Sequence, residues 1–71
     1  MEFTFKIIDH LAVLQESKDG WKKELTLTSF NNSPEKYDIR EWSPDYSKMS
    51  KGITLSPDEM SAIVAAVEGR R

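Results

Sequence analysis

Cysteine is absent and histidine occurs once, at position 10, in a chain of 71 residues. Without thiols there is no disulfide scaffold and no cysteine-zinc site, and the composition suits a reducing compartment such as the cytoplasm. Glycine and proline number three each, and no repeat, low-complexity tract or interdomain linker appears. No apolar run approaches a membrane span. The N-terminus, Met1-Glu2-Phe3-Thr4-Phe5-Lys6, lacks a basic region followed by a long apolar stretch, so neither a signal peptide nor a membrane partner is expected. Charge of neither sign dominates: the net value is −2, which argues against a polyanion binder that works by charge alone.

What is present fits one small soluble domain over residues 1–71, with 38% hydrophobic and 31% charged residues. A chain this short buries only about 62% of its unfolded surface, so apolar burial and the entropy of ordering nearly cancel. Self-association is the expected source of further stability.

Four segments carry β-branched and aromatic residues between turn signals. Phe3 to Leu14 alternates through Phe3, Phe5 and Ile7, breaks phase at Ile8 and resumes at Leu11 and Val13. That break predicts a bulge near Ile8-Asp9, because one inserted residue reverses the facing of all that follow. Trp21 to Phe30 places Leu25 and Leu27, with Trp21, on one face and Lys22, Glu24, Thr26, Thr28 and Phe30 on the other. Lys36 to Trp42 places Tyr37 and Ile39 inward and Lys36, Asp38, Arg40 and Trp42 outward, and Lys51 to Leu55 is a short fourth strand. The connections are Ser17-Lys18-Asp19-Gly20, Asn31-Asn32-Ser33-Pro34 and a polar loop from Ser43 to Ser50.

The period then changes. Ser56-Pro57-Asp58-Glu59 reads as N-cap, N1 proline and capping-box glutamate, followed by Met60, Ile63, Val64 and Val67 at helical spacing, with Gly69 as the C′ residue. Four strands then one helix give the α+β class with an antiparallel sheet. A single helix cannot cover that sheet and hide its own apolar stripe. Pairing of two chains through Met60, Ile63, Val64 and Val67 is therefore the expected dimer interface.

Catalysis finds little support. His10 adjoins Asp9, but neighbouring strand residues point to opposite faces, so the two do not form a dyad. Asp58 and Glu59 complement a helix dipole. One histidine and no cysteine make no metal site, and Gly52 stands alone, so no phosphate-cradling loop is present. An enzyme, a cofactor and a small-molecule substrate are not expected. The outward strand faces are more informative. Lys22, Thr28 and Phe30 on one strand, with Lys36, Arg40 and Trp42 on the next, combine cations, hydroxyls and rings, the mixture that single-stranded nucleic acid requires. Lys48 and Lys51 extend the cationic track. Asp38 on that face either weakens it or holds Arg40 in place.

Two stretches also resemble a known family. Lys36-Tyr37-Asp38-Ile39-Arg40-Glu41-Trp42-Ser43-Pro44-Asp45 and Lys48-Met49-Ser50-Lys51-Gly52-Ile53-Thr54-Leu55-Ser56 are similar to the bacterial YdbC-type proteins, the prokaryotic branch of the family of the transcriptional coactivator positive cofactor four. Trp21-Lys22-Lys23-Glu24-Leu25 and Ser29-Phe30-Asn31 fit as well. The resemblance implies a β-β-β-β-α fold with a curved sheet, a homodimer joined partly through its helices, and binding of single-stranded DNA across the sheet. Carried over by position, it implies contacts from Phe30, Arg40, Lys51 and Gly52. The lysine-rich turn and serine-rich N-terminal region of the eukaryotic branch have no counterpart here.

The expectation is a homodimeric, sequence-tolerant single-stranded DNA-binding protein of the cytoplasm or nucleoid, with RNA as an alternative ligand. A dimer that docks proteins through its aromatic face is the competing class.

Overall fold

The structure, a computed structural model, describes residues 4–70. Four strands, β1 (Phe5–Glu16), β2 (Lys22–Phe30), β3 (Lys36–Trp42) and β4 (Ile53–Leu55), precede one helix, α1 (Pro57–Glu68). They form an antiparallel sheet in the order β1-β2-β3-β4. The α+β class and its four-strand, one-helix order are as expected. The predicted strand start at Phe3 lies outside the described residues.

The phase break in β1 is a bulge between Ile7 and Asp9, and it recurs between His10 and Ala12 and between Val13 and Gln15. Ile8, Leu11 and Leu14 are thus the inserted residues, one in every three. Paired residues share a face, so Phe5, Ile7, His10 and Val13 lie on the side of Phe30, Thr28, Thr26 and Glu24, while Asp9 and Ala12 lie on the side of Leu27 and Leu25.

The turns follow their residue types. Asn31 and Asn32 both take positive φ, at 51° and 62°, and Ser33 N donates to Phe30 O at 2.9 Å. Two left-handed central residues make a type I′ turn, which asparagine tolerates best after glycine. Thr4 and Asn31 exchange two hydrogen bonds that tie the start of β1 to this turn. In α1, Ser56 Oγ accepts from Glu59 N at 3.2 Å and Glu59 Oε1 accepts from Ser56 N at 2.8 Å, the expected capping box. Gly69 stands at the C-cap with right-handed φ of −67° rather than in the left-handed C′ position.

Burial runs against hydropathy. Thr26, Thr28, Asp38 and Trp42 are fully buried and Glu24 nearly so, and all lie on the face that pattern assigns to solvent. Leu25, Leu27, Tyr37 and Ile39, on the apolar face, are only half-buried. The cause is curvature. Phe5 pairs opposite Phe30 and Trp42 opposite Lys22, at the two ends of β2, a span of about 26 Å for a straight strand. Their ring centroids nevertheless lie 5.2 Å apart. The sheet is curled so far that its polar face closes on itself.

Many apolar side chains have little cover. Among the strands, α1 touches only β3 and β4, and none of its residues is buried. Ile8, Leu11, Val13, Leu14, Ile53, Ile63, Val64 and Val67 are 43–58% exposed. The chain exposes 5429 Å², where about 4,500 Å² is usual for a compact chain of this mass.

Candidate nucleic-acid interface

Pleat and register bring the predicted side chains to one face. Glu24 opposes Arg40, Thr26 opposes Asp38 and Thr28 opposes Lys36 across β2 and β3, while Thr54 of β4 opposes Asp38. At the open end of this face lies a cleft of about 310 Å³ lined by Thr28, Phe30, Ser33, Pro34, Lys36, Arg40 and Thr54. Four of these, Thr28, Phe30, Lys36 and Arg40, are residues expected from sequence.

Arg40 is the centre of the cleft. Its Nε donates to Asp38 Oδ2 at 2.7 Å and its Nη2 to Asp38 Oδ1 at 2.8 Å, a bidentate pair. Nη1 donates to Met49 Sδ at 3.0 Å. The guanidinium lies 4.9 Å from the Phe30 ring centroid, within cation-π range. A Cβ on Gly52 would stand 2.4 Å from both Arg40 Cβ and Ile39 O. Only glycine lets β3 and the approach to β4 come this close. Gly52 therefore acts on the site through space it leaves to Arg40. Thr28 is a wall of the cleft, and its hydroxyl lies 2.7 Å from that of Thr26.

Trp42 shares the face of Arg40, as parity requires, but it is not an open ring. It is fully buried beneath Phe5 and beneath Tyr46, 5.9 Å away between centroids. The expectation that Trp42 presents a free stacking surface is corrected by this cover, which comes from sheet curvature and from a loop residue. Its Nε1 is buried with no hydrogen-bond partner among the described residues. Lys22 extends toward the same place, with Nζ 5.9 Å from the Tyr46 centroid. Lys36, Lys48 and Lys51 are exposed.

A second cluster was not anticipated. Glu24, buried on the polar face, accepts from His10 Nδ1 at 2.9 Å on one oxygen and from the Tyr46 hydroxyl on the other. Donation to Glu24, helped by burial and the carboxylate charge, pushes the Tyr46 hydroxyl up to about 12. His10 packs edge-on against Tyr46 at 5.1 Å, and it lies on the face opposite Asp9. Tyr46 has φ of 61°, a left-handed conformation that is costly for an aromatic residue and is maintained here by these contacts.

The loop that carries Tyr46 is tied by its own hydroxyls. Asp45 Oδ1 accepts from Ser47 Oγ at 2.7 Å, Ser47 N at 3.0 Å and Ser43 Oγ at 3.0 Å, which holds the carboxyl at about 2. Ser43 Oγ in turn accepts from Lys48 N at 2.9 Å, and Trp42 bridges to Met49. The single signal in the sequence for this arrangement is the Ser-Pro-Asp spacing, which marks a turn without saying where Tyr46 goes.

Comparison with known proteins places most of the chain in one family's span. The family described as Transcriptional Coactivator p15 (PC4) matches residues 17–66, a span that holds every predicted nucleic-acid contact. An uncharacterized protein of Treponema pallidum (strain Nichols) is 47% identical over 62 residues, covering 87% of this chain and 73% of that protein.

Proposed function

The chain belongs to the family of the transcriptional coactivator p15 (PC4), a non-enzymatic, single-stranded DNA-binding family of coactivator-like transcription regulators, and from there we propose how this chain binds. Bases of a single strand stack at the Phe30–Arg40 cleft, and exposed Lys36, Lys48 and Lys51 follow the phosphates. The observation that carries this reading is the guanidinium of Arg40 held over Phe30 in an open cleft on a polar sheet face. Stacking there is indifferent to base identity, because every base has a π-face. Trp42 supports the face from below, and Lys22 contributes at the Tyr46 end.

The same reading includes a homodimer. The surplus of exposed surface over a compact chain is about 900 Å², close to one partner's ~800 Å² share of a standard interface. Exposed apolar residues of β1, Ile53 and the Ile63, Val64 and Val67 stripe of α1 offer the surface for it, with half-buried Met60 at the head of the stripe.

The experiment is an anisotropy titration of labelled oligo-dT against a duplex of equal length at two salt concentrations. Salt-sensitive binding to the single strand and weak binding to the duplex is the expected result. Equal binding to both, or none at low salt, overturns the reading.

A further inference from the structure

Asp38 is an acidic residue, fully buried, on a face that is to meet phosphates. A carboxylate there opposes a polyanion, and a buried ion pair stabilises a fold no better than apolar side chains of the same shape. Its contribution is geometric. Asp38 and Arg40 stand two apart on β3, so the pleat sets them on one face, and both carboxylate oxygens engage the guanidinium side-on. Thr54 Oγ1 donates to Asp38 Oδ1 at 3.2 Å, which fixes the carboxylate from β4. Met49, Phe30 and Gly52 confine Arg40 further.

A guanidinium has five N–H groups. Asp38 and Met49 engage three of them, which leaves two for the cleft that Arg40 lines. We propose that Asp38 is the positioning residue of the nucleic-acid cleft. It locks Arg40 as a rigid plate against Phe30 and offsets its charge, so that this subsite grips a nucleotide by stacking and directed hydrogen bonds rather than by net charge. The inference rests on the single-stranded DNA reading of the cleft and goes beyond it in assigning an acid a favourable part. Arginine loses substantial rotamer entropy when it is fixed, and a carboxylate that fixes it beforehand removes that cost from binding.

The test compares the full-length chain with Asp38→Asn, Arg40→Lys and the double variant, each titrated with labelled oligo-dT and melted thermally. Asp38→Asn is expected to weaken binding about tenfold although it makes the face more positive. Arg40→Lys keeps the charge but not the planar fork, and weakens binding to a similar degree. The double variant is expected to bind no worse than either single one, since both remove the same plate. If Asp38→Asn melts too low to titrate, Arg40→Lys, which leaves the carboxylate in place, still overturns the positioning role if it binds undiminished. Tighter binding by Asp38→Asn, undiminished binding by Arg40→Lys, or additive losses would falsify the positioning role while wild-type binding stands. Failure of the wild type to bind oligo-dT overturns the reading of the cleft itself.

Discussion

Tyr46 donates its hydroxyl to Glu24, twenty-two residues earlier in the chain, and so pins the β3–β4 loop onto the start of β2. The contact lets a buried carboxylate persist on the polar face, because its second oxygen is also satisfied, by His10. It also carries a pH signature. The Tyr46 hydroxyl is raised from 10.0 to about 12 in the folded chain, so its contribution to stability is whole below pH 10 and is lost as pH rises from there through about 12. Tyr46→Phe leaves Glu24 short of a donor and is expected to cost about 1–3 kcal/mol at neutral pH. Urea melts at neutral pH and at about pH 11 check both points: the variant is less stable at the first and loses less than the wild type between the two.

Phe30 and the lysines affect different observables. Phe30→Ala is expected to weaken oligo-dT binding by about 1–3 kcal/mol with an unchanged salt slope. Lys36→Gln or Lys51→Gln is expected to lower that slope by ~0.7 for each phosphate contact removed. Titrations at several salt concentrations separate the two. Unfolding of Phe30→Ala, seen by circular dichroism, would assign the ring to the core instead.

At Gly52 the space is already taken. A methyl group there meets Arg40 Cβ and the Ile39 carbonyl at 2.4 Å, and the latter is backbone that cannot turn aside. Gly52→Ala is expected to destabilise the fold by about 1–3 kcal/mol through overpacking and to weaken oligo-dT binding by displacing Arg40. Thermal melts and anisotropy on the same sample measure both, and unchanged values in both would show that β4 has room to move.

Association is checked at α1. Val64 is 51% exposed, so Val64→Asp costs the isolated chain about 0.5 kcal/mol or less. If α1 is the dimer seam, the same change places a charge in an apolar contact and shifts sedimentation equilibrium to the monomer. A wild type that sediments as a monomer at high concentration would overturn the dimer.

Much of this was legible in the sequence for local reasons. Period-two alternation placed Arg40, Trp42, Thr28 and Phe30 on one face, the break at Ile8 announced a bulge, and Ser56 with Glu59 announced the cap. Alternation tells which residues share a face but not what covers it. The sheet curls until Phe5 reaches Trp42, and no local pattern encodes that closure, so Trp42 is covered where an open ring was expected. The Glu24 cluster escaped for a similar reason. It joins residues from β1, β2 and a loop through side chains that meet only after the strands pair, and no local pattern in β1 tells that His10 comes to face Thr26 and its neighbour Glu24.

The three interruptions of β1 have one more effect. As the first strand in the sheet order, β1 turns an unpaired backbone edge to its surroundings along a run that includes Ile8, Leu11, Val13 and Leu14. A long, regular, apolar edge is a template on which other chains add as further strands, the route to fibrils. Here the regular pairing is broken after Ile7, His10 and Val13, so an incoming strand finds no extended stretch of evenly spaced donors and acceptors to match. The apolar side chains stay available for lateral packing while the main chain beside them is unfit for open-ended growth. The chain can thus present a sticky surface and still limit how many copies attach to it.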